Sequence, residues 1–233
     1  MQIQRHSLRL ASAPDLSRES FRLAILNHPA FEYLSRAIFI DYDDDVINTL
    51  NTRIQNIGCD KKALAVRGDF TRLDTIQAAI SSLPKEALTL VFVDPTECNV
   101  PFSTLEFLAA ELNKADFVIN IPLGTDFRRN ARGAVLDESF SRAKAKYAEY
   151  LGDEDFFDRL DVQALAKQED MTPLCNAFLD SLSKKWSDMG FKCFDVKPVQ
   201  HYYYLAFISK DNMGLSFWNK ANVYDPDGQK TMF

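Results

Sequence analysis

The stretch ALTLVFVDPTE, Ala87–Glu97, is an apolar run that stops at an acid and a proline. It is apolar throughout, not at every second position. That pattern predicts a strand buried on both faces, as in a parallel sheet clothed by helices. Asp-Pro is a good turn starter, but it also leaves a carboxylate, Asp94, at the carboxyl end of the strand. The neighbouring sequence repeats the arrangement. AIFID (37–41) and ALAVRGD (63–69) read as two earlier strands, and DFVINIP (116–122) as a later one. Helical patterns lie between them. DDVINTLNTRIQNIG places Val46, Leu50 and Ile54 at helical spacing behind the acids Asp43–Asp45; TRLDTIQAAISSLP and PFSTLEFLAAELNKA follow the next two strands. Alternating strands and helices predict a mainly parallel, doubly wound α/β sheet of Rossmann-like form.

From Asp137 to Gly190 the pattern is almost entirely helical. This predicts a helical insertion, approximately 137–190, within a single domain spanning 1–233. FKCFDVKPV and HYYYLAFISK close the sheet, and MGLSFWNKANV forms a last short helix. The amphipathic segments FFDRL and AFLDSLSKKW are expected to pack into the core, and Phe217 and Trp218 to pin the last helix to the sheet.

Composition narrows the function classes. The chain has 233 residues, 46% of them hydrophobic, and a formal net charge of −6, which argues against a general polyanion binder. Cys59, Cys98, Cys175 and Cys193 are far apart and form no Cys-x-x-Cys pair. With only His6, His28 and His201 besides, no metal site is expected. There is no run of 18 apolar residues, and MQIQRHSLRL carries charges where a leader would need an apolar core. A cytoplasmic protein with no membrane contact is expected.

In a doubly wound sheet, ligands bind outside the carboxyl ends of the strands. Three consecutive predicted strands end in Asp41, Asp69 and Asp94. Each acid could simply cap the next helix. Three in order on one edge point to a binding crevice instead, and an ionised carboxylate there accepts hydrogen bonds from both hydroxyls of a ribose.

The order of these pieces resembles the class I S-adenosylmethionine-dependent methyltransferases, and more narrowly the three-Cys-motif partner protein family, a bacterial group. The resemblance rests on FIDYDDDVINTL, VRGDF, VFVDPTE, FVINIPLGTDFRRN, YYYLAFISK and the ending LSFWNKANVYDPDGQKTMF, and runs from about Phe21 to the end. It implies S-adenosylmethionine as cofactor. Asp41 and Tyr42 would hold its ribose; Asp69 and Phe70 would face its adenine. Asp94 and Pro95 would be catalytic, accepting hydrogen bonds from a substrate amine so that its lone pair points at the methyl group. Arg128 and Arg129, after the fourth predicted strand, would contact substrate, with nucleic acid as a candidate partner of this local basic loop. Two departures stand out. The motif reads DPTE, where amino methyltransferases carry Pro-Pro and an aromatic. No glycine precedes Asp41, so SLRLASAPDLS replaces the usual glycine-rich turn. These departures keep open a second reading, a non-catalytic interaction protein with a protein partner. A phosphate-binding enzyme ranks last, because neither a P-loop nor another Gly-rich loop is present.

Other features read as packing or as solvated surface. TDFRRNARG, including Arg132, fits a solvated basic turn as well as a contact. HYYYLAF predicts a buried strand with one exposed aromatic. Cys98 has no histidine nearby in sequence to activate it and is expected to pack.

Overall fold

The computed structural model describes residues 5–11, 25–199 and 203–221. Seven strands form one sheet: β1 Arg5–Ala11, β2 Leu34–Asp41, β3 Ala63–Arg67, β4 Leu88–Asp94, β5 Lys114–Ile121, β6 Cys193–Val199 and β7 Tyr203–Ser209. Their spatial order is β3-β2-β1-β4-β5-β7-β6. β1 to β5 pair in parallel, and β7 runs antiparallel to both β5 and β6. The fold is therefore α/β with a mainly parallel, Rossmann-like sheet, as the apolar runs predict.

β1 is the element that the sequence hides. RHSLRLA is too polar to read as a central strand, yet it pairs with β2 on one side and β4 on the other. Residues 12–24, where the sequence is expected to form the turn without glycine, lie outside the described residues. So do His201, Tyr202 and the DPDGQ ending.

The connections after β2, β3 and β4 are helices: α1 Asp44–Asn56, α2 Leu73–Ile80 and α3 Phe102–Glu111. Asp43 caps α1, its Oδ1 accepting from the Asp45 and Val46 N–H groups at 2.9 and 3.3 Å. The helix buries Ile47, Leu50 and Ile54, so the apolar face starts at Ile47 and not at Val46. Between β5 and β6 the chain is helical, with a one-turn π-helix at Leu123–Phe127, then α4 Arg128–Leu136, α5 Ser141–Leu151, α6 Leu160–Ala166 and α7 Thr172–Asp188. α8 Asn212–Ala221 follows β7.

One large core joins Ile38, Ile40, Val91, Val93, Phe117 and Ile119 of the sheet to α2, α3 and the helices up to Trp186 of α7. The opposite face has a smaller core of Ala37, Phe39, Ala63 and Ala65 under α1. Strand register puts Phe39, Phe92, Val118 and Phe207 on that same face. At its far side Trp218 of α8 stacks on Phe207, centroids 5.3 Å apart, and donates to Asp195 at 2.6 Å. Trp218 pins the helix, and Asn212 at its start accepts from Cys193; Phe217 is exposed and does not pin it.

Among the described residues, no helix lies over β4 on this face. Leu88 and Leu90 are 43% and 42% exposed. α1 lies over β2 and β3, and α8 over β6 and β7, so neither reaches the middle of this face. The aromatic strand behaves as expected among its described residues: Tyr203 is exposed, and Tyr204 packs against the large core.

Candidate functional site at the strand switch point

After β1 the chain moves outward to β2 and β3, then returns to the other side of β1 to build β4 and β5. That reversal defines a crevice between the carboxyl ends of β1 and β4, where doubly wound sheets bind ligands. The register fixes what borders it. Leu10 pairs with Ile40 and with Val93, and Ala11 pairs with Asp94. Val93 pairs with Ile119. Asp41, Asp94 and Asn120 thus fall in one row and, by strand alternation, on one face. Two strand spacings separate Asp41 from Asp94, about 10 Å.

The three strand-ending acids sit in different environments. Asp41 is buried, and its Oδ1 accepts from the Asp43 N–H at 3.1 Å, which helps shape the entry to α1. Tyr42 beside it is exposed. Asp69 lies past the end of β3, where Gly68 N–H bonds the Asp41 carbonyl at 2.9 Å. A Cβ on Gly68 would stand 2.7 Å from the Ile40 side chain, so glycine is needed for this approach. The Asp69 carboxylate accepts from both the backbone N–H and the hydroxyl of Thr71, at 2.8 and 2.7 Å. Phe70 is buried in the large core, and its carbonyl accepts from the Thr104 hydroxyl at 2.6 Å.

Asp94 is half-buried and accepts across the sheet, from Asn120 Nδ2 at 2.9 Å. α3 has Pro101 at its N-cap and no side-chain cap, so Asp94 does not cap the helix that follows β4. Pro95 is buried; Thr96 and Glu97 are exposed.

The wall behind Pro95 is built on an acid that the sequence reading passed over. Asp126, in the π-turn after β5, is only 6% exposed. It accepts from the Cys98 N–H at 2.8 Å, from Lys146 Nζ at 2.8 and 2.9 Å, from the Tyr147 hydroxyl at 2.8 Å and from Asn130 Nδ2 at 3.1 Å. Lys146 also reaches Glu97 at 3.2 Å. This hub fastens the loop after β4 to α4 and α5. Burial pushes the Asp126 carboxyl upward, but the bonds from Lys146, Cys98 and Tyr147 more than reverse this and hold it below its ordinary value. Burial alone would lower the Lys146 ammonium; Asp126 and then Glu97 keep it above its usual range. Burial, with Asp126 adding to it, pushes the Tyr147 phenol well up, so it stays a donor. Cys98 is fully buried, and burial first, then Asp126, raise its thiol well above normal. It packs and is no nucleophile.

Arg128 and Arg129 open α4 and are exposed. Arg128 faces the turn into α7, where it opposes the burial that pushes the Cys175 thiol up to about 11. Arg132 donates to the Gln168 and Glu169 carbonyls at the end of α6, so it ties helices together. Among the described residues, no group of three or more His, Cys, Asp or Glu could hold a metal ion. None of the described helices is long and apolar enough to cross a membrane.

No protein-family model matches the chain, and no curated protein matches it. Several solved structures are similar to it. SAH-bound PaMTH1, a methyltransferase of Podospora anserina, aligns at 12% identity over 89% of this chain and 72% of that one, with a TM-score of 0.48. The N-terminal domain of human METTL16 in complex with SAH aligns at 7% identity over 90% of this chain and 62% of that one, TM-score 0.47. An uncharacterized protein from Listeria monocytogenes serotype 4b aligns at 10% identity over 88% of this chain, TM-score 0.41; the chain spans 62% of its length.

Proposed function

We propose that the chain is a methyltransferase-like protein that takes S-adenosylmethionine across the β1–β4 switch point. The reading rests above all on the polar row Asp41–Asp94–Asn120 at the carboxyl ends of the strands. A ribose at Asp41, with Tyr42 at its rim, leaves about 10 Å to the reacting centre at Asp94. Asp69 and Phe70 border the adenine end, on the outer side of Asp41. The cofactor, when bound, supplies a methyl group already activated on a sulfonium. What the chain contributes is position: Asp94 and the carbonyl of Pro95 accept from a substrate amine and turn its lone pair toward the methyl carbon. Arg128 and Arg129 would be the contacts for a negatively charged substrate, nucleic acid included.

Two measurements test this. Asp94→Ala is expected to slow methyl transfer by about 30- to 1,000-fold, or about 2–4 kcal/mol. Its affinity for the cofactor should be almost unchanged, and equal turnover by variant and parent would remove Asp94 from the chemistry. Isothermal titration with S-adenosylmethionine is expected to give a dissociation constant near millimolar. No glycine precedes Asp41 to let the backbone approach the amino-acid end of the cofactor. Losing two or three hydrogen bonds there costs roughly 1.5–3 kcal/mol each. A micromolar constant would mean that SAPDLS builds the turn without glycine.

A second reading, a non-catalytic interaction protein on the same fold, is favoured by one observation. Leu88 and Leu90 are exposed in mid-sheet, and α8 on the same face exposes Met213 and Phe217. Absence of any binding to S-adenosylmethionine or S-adenosylhomocysteine would support this reading.

A further inference from the structure

Asn120 is the only polar residue in the stretch FVINIP, Phe117–Pro122, and it is 9% exposed. Its Nδ2 donates to Asp94, which fixes the orientation of the amide. The reversed rotamer would set Asn120 Oδ1 against the Asp94 oxygen at 2.9 Å, two acceptors with no proton between them. Oδ1 is therefore turned away from Asp94, and it is buried with no hydrogen-bond partner. An orphaned buried acceptor is destabilising, so its presence calls for a role. It does not stand alone. Asn99 Oδ1, in the loop after β4, and Thr125 Oγ1, in the turn after β5, are also buried and unpartnered. Three of the six such side-chain atoms among the described residues thus belong to the carboxyl ends of two adjacent strands and the loops that leave them. Two of the three are carbonyl oxygens, which only accept.

We infer that Asn120 is a positioning and specificity-determining residue of this crevice, selecting a ligand that presents an exocyclic NH2 group over one that presents oxygen at the same place. The inference rests on the proposed function for the location of the ligand and its amine, and adds to it the residue that selects that amine. An NH2 group carries two N–H donors. One meets the Asp94 carboxylate; the other meets Asn120 Oδ1. The Asn120 N–H meanwhile keeps the Asp94 carboxylate turned toward the row. A hydroxyl has one proton and leaves one acceptor unanswered. A carbonyl has none and faces two acceptors. Sites built to hydrogen-bond a group discriminate strongly against analogues that lack the donor.

The test uses the full chain and two probe pairs differing only in that group: cytidine against uridine, and aniline against phenol. Side-chain amide resonances in 15N NMR spectra report binding at Asn120 directly. The expected result is that the amine of each pair binds about ten-fold more tightly, the equivalent of one hydrogen bond, and shifts the Asn120 amide signals. In Asn120→Leu, which keeps the branched skeleton and removes both polar ends of the amide, the preference should fall below about two-fold. A purely structural role would lower the melting temperature of that variant and leave the ratio intact. Equal affinity within each pair for the unmutated protein overturns the inference, whether or not any variant folds. So does a ratio unchanged in folded Asn120→Leu. Titration with S-adenosylmethionine separates the two claims. Amine preference without cofactor binding leaves this inference standing and removes the transferase reading; cofactor binding without amine preference does the reverse.

Discussion

Asp126→Ala is expected to destabilise the protein by about 3 kcal/mol, the lower end of the range for removing one member of a buried charged pair. The carboxylate accepts from four different residues. Its removal leaves the Cys98 N–H without its acceptor in a place that water does not readily reach, and leaves the Tyr147 hydroxyl and the Asn130 amide only the Asp126 backbone carbonyl, at 3.2 and 3.0 Å. Lys146 moderates the loss, because its side chain is 23% exposed and retains Glu97. Asp126→Asn keeps an oxygen and the shape, and should cost about 1–2 kcal/mol. The pH dependence distinguishes charge from shape. The folded carboxyl is held below its ordinary value. Its contribution is therefore fully present above the unfolded value, about 3.9, and is lost as the pH falls through the depressed folded value. Urea unfolding at neutral pH should show the full gap between parent and Asp126→Asn, and the gap should close below about pH 4. A cost under 1 kcal/mol for the alanine variant, or a gap independent of pH, would show that the hub carries little.

The consequence extends beyond stability. Cys98 N–H ties the loop that begins at Pro95 to the hub, beside the Lys146–Glu97 pair. With the acceptor gone, amide exchange in residues 95–100 should quicken more than in the strands. Methyl transfer, if the chain performs it, should slow without any change at Asp94 itself.

The sequence reveals the parts of this fold that are decided locally. β2 to β5 are apolar runs, and the acids that end β2 and β4 stand where the runs stop. β1 is not legible for the opposite reason. Arg5, His6, Ser7 and Arg9 give no strand signal of their own, and only pairing with β2 and β4 makes this segment central. The site divides in the same way. Asn120 could have been singled out, since an amide inside an apolar strand is rarely buried without purpose. Asp126 could not. Its partners, Cys98 and Lys146, are 28 and 20 residues away, and the arginines of TDFRRN draw the eye from it. Asp69 shows the limit of reading acids by position, since its carboxylate makes a local turn with Thr71. That contact was as available to sequence reasoning as the crevice role.

Phe178→Ala is expected to cost about 3–5 kcal/mol and to leave a single cooperative unfolding transition. Phe178 of α7 is fully buried. Its ring lies 4.0 Å from Phe127 in the π-turn, 6.0 Å from Tyr150 and 6.4 Å from Tyr147 in α5, and 5.9 Å from Phe156. It therefore joins the helices between β5 and β6 to the turn that leaves β5. The same core runs unbroken to Val91 and Ile119 in the sheet. If the helical segment were a separable unit, truncating this ring would split calorimetric unfolding into two steps, with the segment melting first. One core predicts one step at a lower temperature. Coupling to the acid hub gives a sharper criterion. Tyr147 donates its hydroxyl to Asp126 and packs its ring against Phe178, so the two sites share a member. The double variant Asp126→Asn, Phe178→Ala should then deviate from the sum of the single effects by at least about 0.5 kcal/mol. Once either change has loosened Tyr147, the other has less left to disrupt, so the double variant should lose less than the sum. Strict additivity would mean that the wall behind Pro95 and the helical core yield independently, and Phe178 would then have no influence on the crevice.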